Sequence, residues 1–406
     1  MTKNAFRPLR RSVLALGASA MLIGTAIAQP KNYGPGVSDT EIKIGQAAPY
    51  SGPASAYGAI GKVIAAHFQM VNDQGGVNGR KLTLISLDDS FSPPKTVEQV
   101  RRLVESEGVL FIHTIGSSPT AAVRRYLNQN KVPQLFVSSG ASKWGDYEHF
   151  PWTIGFNATY ETEGIVFARY LLKEKPAGKV AVLYQNDDFG KDLLAGFKKG
   201  LGEKAKTMIV AERFYELTDP MIDTQLISLQ ASGADVLLDL TTPKFAAMAI
   251  RKVYEMEWKP LHILGNVSAS VGSVLKPAGL EKAVGIISSA YTKDPTDAKW
   301  ANDPQMNEWR AFMKKYYPDG SLDDWINVYS QGMAQAMVQA LKQAGNDLSR
   351  ENVMRQAANL KNFEIPSLLP GIRINTSPTD YYPIEQLQLT RFDGKQWVLF
   401  GDIIGK

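Results

Sequence analysis

Short apolar runs alternate along this chain with longer segments in which apolar residues recur at helical spacing. Strands are predicted over Glu41–Ala48, Lys81–Leu87, Val109–Ile115, Pro133–Val137, Lys179–Tyr184, Met208–Phe214, Asp235–Leu240, Leu261–Leu264 and Val284–Ser288. Helices are predicted between them over Tyr57–Asp73, Lys95–Glu107, Pro119–Asn130, Tyr160–Lys175, Phe189–Leu201, Met221–Ser232 and Pro243–Glu255. Near-continuous apolar strands separated by amphipathic helices read as parallel sheets covered on both faces. Ser92-Pro93-Pro94, Ser118-Pro119 and Thr242-Pro243 each set a capping residue and a proline at a helix start. Gly75-Gly76-Val77-Asn78-Gly79 reads as a helix-to-strand turn.

Two such arrays are visible, one ending near Phe156 and one running from about Lys179 to Ser289. A helical block follows over Pro304–Tyr317, Asp324–Gly345 and Ser349–Leu360. The tail then changes to Ile384–Phe392, Asp393-Gly394-Lys395 and Gln396–Ile404, a hairpin pattern with an Asp-Gly turn. A helical block and a lone hairpin do not readily form a third core. They are expected to return and complete the first two, giving an α/β fold of two Rossmann-like lobes with parallel sheets flanked by helices.

The first 28 residues carry a different pattern. Lys3, Arg7, Arg10 and Arg11 precede a short apolar stretch, and Ala26-Ile27-Ala28 supplies a small-x-small cleavage signal before Gln29. This reads as a cleaved signal peptide, with cleavage between Ala28 and Gln29; Arg10-Arg11 leaves Sec and twin-arginine export both open. Its removal changes the charge picture. The 45 Lys+Arg and 40 Asp+Glu of the full chain give +5, but four of the basic residues and none of the acidic ones lie in the leader. The rest is close to neutral, so nucleic acid is not an expected partner. The chain has no cysteine, which excludes disulfides, thiolate chemistry and the lipidated cysteine that tethers many exported proteins. A free monomer in a Gram-negative periplasm is expected.

Two neighbouring strand ends run into hydroxyl-bearing loops: Val109–Ile115 into Gly116-Ser117-Ser118-Pro119-Thr120, and Pro133–Val137 into Ser138-Ser139-Gly140-Ala141-Ser142. Ligands of open parallel sheets bind beyond the carboxyl ends of the strands, where amides and hydroxyls can hold an anion without a cationic side chain. No catalytic constellation accompanies this shelf. His67, His113, His149 and His262 lack metal-ligand spacing, and Tyr57-Gly58-Ala59-Ile60-Gly61-Lys62 lacks the first glycine and the final Ser/Thr of a phosphate loop. Asp88-Asp89 and Asp187-Asp188 read as turn and helix caps, and Trp300, Trp309, Tyr316 and Tyr317 as packing. No metal, cofactor or enzymatic activity is expected.

Ser51-Gly52-Pro53, Tyr57-Gly58, Asn72-Asp73-Gln74-Gly75-Gly76-Val77-Asn78-Gly79-Arg80, Asp88-Asp89, the Ser117–Thr120 loop and Tyr184–Gly190 follow in this order. Together they resemble exported solute-binding proteins of the leucine/isoleucine/valine type, which have the type I periplasmic binding fold and serve ABC importers. The resemblance implies a three-segment hinge, with lobe 1 formed by residues 40–157 plus 290–371 and lobe 2 by 158–289 plus 372–406. It also implies ligand capture by hinge closure and delivery to an inner-membrane permease and its ATPase. A ligand-sensing module that presents its closed form to a membrane receptor is the alternative.

Carried over by position, the resemblance places Ser117 on the ligand carboxylate, the Gly140 carbonyl on its amine, and the Ser142 amide and hydroxyl on its head group. It sets Tyr57 at the mouth, and Phe189 and Thr241 in place of family tyrosines; Ser118, Ala141, Tyr160 and Asn266 complete the implied set. One departure matters. Where amino-acid binders place a carboxylate for the α-ammonium, this chain reads Gly265-Asn266-Val267-Ser268-Ala269, without an acid. An ammonium buried there would be poorly compensated, so the expected ligand is a small carboxylate without an α-amino group, an aromatic or aliphatic acid, rather than a branched-chain amino acid.

Overall fold

The computed structural model describes residues 1–2 and 31–405; the signal peptide expected over residues 1–28, from residue 3 onward, and the expected Ala28/Gln29 cleavage lie outside them. The strands are β1 (Asn32–Tyr33), β2 (Glu41–Ala48), β3 (Lys81–Asp88), β4 (Ile112–Thr114), β5 (Gln134–Val137), β6 (Thr153–Gly155), β7 (Val180–Gln185), β8 (Ile209–Tyr215), β9 (Val236–Leu240), β10 (Leu261–Leu264), β11 (Ile287–Ala290), β12 (Asp347–Leu348), β13 (Gln386–Phe392) and β14 (Trp397–Gly405). They form a five-stranded sheet in the order β3-β2-β4-β5-β6 and a seven-stranded sheet in the order β14-β13-β11-β10-β9-β7-β8, with β1 and β12 pairing apart. The five-stranded sheet is wholly parallel. The larger one is parallel from β8 to β11 and antiparallel where the tail hairpin joins it.

The alternation within β2 explains why helices cover both faces. Ile42 and Ile44 point into a core shared with Ile60, Val63 and Ile64 of the helix Gly58–Asp73 and with Met333 and Met337 of the helix Trp325–Ala344. Ala47 points the other way, into a core with Val100, Val123 and Leu127. The late helix Trp325–Ala344 therefore packs on the first lobe.

Several expected elements shift; the strand expected over Val109–Ile115, for one, is regular only over Ile112–Thr114. The strand expected over Val284–Ser288 forms instead at Ile287–Ala290. Gly285, at φ +88, holds the preceding residues in a turn whose Ile286 amide reaches back to Ala283. The helix expected to begin at Pro119 starts at Ser117. The one expected over Lys95–Glu107 is regular only over Pro93–Arg101, then widens into a π-type turn over Arg102–Ser106. Among the described residues no helix is long and apolar enough to cross a membrane.

In the second lobe the helices Tyr160–Glu174 and Asp188–Leu201 touch backbone to backbone. A methyl group on Gly164 would lie 2.2 Å from the Leu193 carbonyl oxygen, and one on Gly196 would lie 2.2 Å from that of Glu161. Alanine favours a helix over glycine by about 1 kcal/mol, but here the clash is with backbone and outweighs it. Gly164→Ala is expected to lower stability by about 2 kcal/mol. Urea unfolding showing an unchanged or raised midpoint would contradict this close approach.

Candidate functional site

β4 ends at Thr114, and Gly116 adopts φ +88, which lets the chain enter the helix Ser117–Gln129 at once. A Cβ here would also lie 2.2 Å from the Phe91 ring, so glycine is required twice over. As N-cap it offers no side chain to the helix. The Ser117 and Ser118 amides have no hydrogen-bond acceptor among the described residues, and Pro119 has no amide to offer. Exposed N–H groups at a helix start attract an anion.

This helix start faces a cavity between the lobes of about 500 Å³, its mouth included. Six aromatic rings line it: Tyr57, Phe91, Tyr160, Phe189, Trp325 and Tyr329. Tyr160 meets Phe189 edge-on at 5.0 Å, and Trp325 meets Tyr329 likewise at 5.6 Å. The polar part of the lining is Ser117, Ser138, Asn157, Gln185, Asp187 and Thr242, with no Lys, Arg or His. The Ser117 hydroxyl pairs with that of Ser139 at 2.8 Å. The Tyr329 hydroxyl donates to Asn157 Oδ1 at 2.6 Å.

Asp187 is the one carboxylate in the lining. It caps the helix Asp188–Leu201, accepting from the Phe189 and Gly190 amides at 3.0 and 3.4 Å on Oδ1. Its Oδ2 accepts from Gln185 Nε2 at 2.8 Å and from the Ser118 hydroxyl at 3.0 Å. Burial pushes its carboxyl above the usual range despite these bonds. With two donors on each oxygen, Asp187 could bond a ligand ammonium only by giving one of them up.

The same helix start fastens the lobes together. Asp192 Oδ2 accepts from both the amide and the hydroxyl of Ser142, at 2.7 and 2.9 Å. Lys143 Nζ lies 2.6 Å from Asp188 Oδ2. Tyr57 adds a hydrogen bond from its hydroxyl to the Val267 carbonyl at 3.2 Å. The lobes are thus held shut around the cavity.

The sequence profile described as periplasmic binding protein matches residues 41–396. The chain belongs to the periplasmic binding protein family. It is 27% identical over 336 residues to Leu/Ile/Val-binding protein homolog 1 of Brucella suis biovar 1 (strain 1330), covering 81% of this chain and 85% of that relative. A branched chain amino acid ABC transporter from Thermus thermophilus with bound valine superposes with a TM-score of 0.80 at 15% identity, covering 91% of this chain and 98% of its own. A fatty acid ABC transporter substrate-binding protein from Thermomonospora curvata gives 0.76 at 22%, covering 93% and 95%. Both share the fold.

Within this periplasmic binding protein, the structure divides the residues expected at the ligand into groups. Tyr57, Ser117, Tyr160 and Phe189 line the cavity. Ser118 and Ser142 instead spend their hydroxyls on lobe-to-lobe bonds with Asp187 and Asp192. The Gly140 carbonyl accepts the Tyr160 amide at 2.8 Å, and the Ala141 amide donates to Ser139 Oγ at 3.3 Å. Thr241 is fully buried and donates to Asp239 at 2.7 Å; its neighbour Thr242 reaches the cavity in its place. Asn266 lines a separate cavity, with its side-chain amide on the Ser289 carbonyl.

Residues outside the expected set also shape the site. Phe91, Asn157, Trp325 and Tyr329 come from segments whose local pattern signals packing alone. Asp187 is the helix cap its sequence suggests and a cavity wall besides. Beneath Asn266, burial raises the Glu163 carboxyl to about 7, against hydrogen bonds from the Asn266 amide and the Ser289 hydroxyl.

Two outcomes follow from these contacts. Asp192→Ala removes the acceptor for both Ser142 donors and should shift ligand-free protein toward an open form, read as a larger radius of gyration in X-ray scattering. Identical scattering would show that this contact does not hold the lobes. Between pH 4.5 and 7 the folded chain keeps a proton on Glu163 that the unfolded chain releases, so this contribution to stability falls as pH rises through that window. Glu163→Gln should remove that slope, raising stability at pH 8 relative to pH 5 by about 3 kcal/mol compared with wild type. Equal slopes in urea unfolding would contradict the protonated state.

Proposed function

We propose that this chain is the substrate-binding component of an ABC importer and captures a small carboxylic acid lacking an α-amino group. The observation that carries the reading is the uncapped helix start at Ser117 opening onto an aromatic cavity without a cation. The carboxylate sits on the Ser117 and Ser118 amides and the Ser117 hydroxyl, and an aromatic or aliphatic body packs among the six rings. Hydrogen bonds to a charged group contribute about 1.5–3 kcal/mol each. Two or three of them with one buried ring reach about −8 kcal/mol, a micromolar affinity. An α-ammonium ligand would have to displace one of the four donors that Asp187 already accepts before bonding there, which argues against it.

Ligand binding favours closure only through contacts made in the closed form, here the rings Tyr160 and Phe189 meeting lobe 1. The closed protein then presents its joined faces to an inner-membrane permease. The names of the Thermus and Thermomonospora neighbours support transport over sensing. A deletion strain that takes up the acid at the normal rate would point to the sensing role instead.

Calorimetry on unfolded, ligand-stripped and refolded protein should give micromolar binding of benzoate, phenylacetate or a medium-chain fatty acid. Tight leucine or valine binding with no response to these acids would overturn the reading. Ser117→Ala is expected to weaken acid binding about tenfold, the loss of one charge-assisted bond.

A further inference from the structure

Behind the ligand cavity lies a second space of about 350 Å³, its opening included, lined in part by Asn266, Ser289, Asp294, Thr390 and Trp325. Among the described residues Trp325 alone lines both cavities. Asn266 and Val267 are consecutive in the short turn Asn266–Ser268, yet Val267 lines the ligand cavity and Asn266 the second one. Trp325 and this turn therefore border both cavities.

The ring is held at its base. Asp324 caps the helix Trp325–Ala344 through the Ile326 amide at 3.0 Å and accepts the Ser270 hydroxyl at 2.9 Å, while Tyr329 packs on the indole edge-on. Its far edge is not held. Trp325 Nε1 is buried without a partner among the described residues, and so is Thr390 Oγ1 in the wall beyond. A cavity with such groups holds water rather than vacuum, which a chain entering it has to displace.

We infer that Trp325 sets the length of the acid this protein accepts. Its indole forms the end wall against which the apolar body of the solute stops, and the second cavity is an extension closed off by that ring. The inference rests on the reading of Ser117 as the carboxylate anchor, which fixes the other end of the ruler. The relevant ligand class is the unbranched monocarboxylic acids, with the acceptable chain length as the property under control.

The test is calorimetric titration of the full, ligand-stripped chain with the homologous series from butyrate to dodecanoate. Wild-type affinity should climb about fourfold per buried methylene, pass a maximum and fall once the chain meets the indole. W325A should move that maximum to longer acids and bind the longest ones about tenfold tighter than wild type does. W325F, which keeps a ring at the wall, should leave the maximum within about one methylene of its wild-type place. A wild-type series without a maximum overturns the inference even if W325A fails to fold. So does a W325A maximum at the wild-type chain length. If acids bind and the maximum stays put, this inference alone falls; if no acid binds any of the proteins, the carboxylate reading falls and takes this one with it.

Discussion

Several helices begin at the gap between the lobes, and the free N–H groups at the starts of two of them, Ser117–Gln129 and Asp188–Leu201, are the constraint to which the rest of the site answers. A helix start leaves amides without partners and carries partial positive charge. In lobe 2 that demand is met internally, because Asp187 folds onto the Phe189 and Gly190 amides. In lobe 1 the corresponding position is Gly116, which has no side chain, so the Ser117 and Ser118 amides stay open. One anion site is filled by the protein and the other is left for a solute. The aromatic lining then decides what can be attached to the anion.

The contacts that close the gap have unequal strengths. Lys143 and Asp188 are each about one-third exposed, so water screens their attraction and the pair is worth less than about 1 kcal/mol. The two Ser142 donors on Asp192 are hydrogen bonds to a charged group and contribute more. A carboxylate of lobe 2 thus binds the Ser142 amide and hydroxyl, the donors that resemblance assigns to a ligand head group. The protein applies one chemistry, amide and hydroxyl around a carboxylate, both to hold its halves together and, on the proposed reading, to hold its cargo.

Much of this was legible in the chain because the signals are local. Glu41–Ala48, Leu261–Leu264 and Pro243–Glu255 form as their patterns predict, since apolar continuity and a Thr-Pro start need no tertiary information. β6 has only three residues and follows a proline; its extended form depends on pairing beside β5. The same division runs through the site. Ser117 follows from a strand end, whereas Trp325 and Tyr329 belong to a helix buried on nearly every side, whose pattern does not say which lobe it joins. Thr241 and Thr242 show the limit of positional transfer: neighbours on an extended turn point opposite ways, and a shift of one residue exchanges cavity for core.

The order of the seven strands has a consequence for how the molecule comes into being. β11 finds its outer neighbour only in β13, with Ile287 beside Arg391, and the helix Trp325–Ala344 that covers the first sheet also lies late in the chain. The seven-stranded sheet cannot be completed until the last residues are made, the five-stranded one lacks this covering helix until residue 344, and pairings this distant form slowly. The second lobe is thus the later half to become rigid, because its closing edge is supplied by the final hairpin.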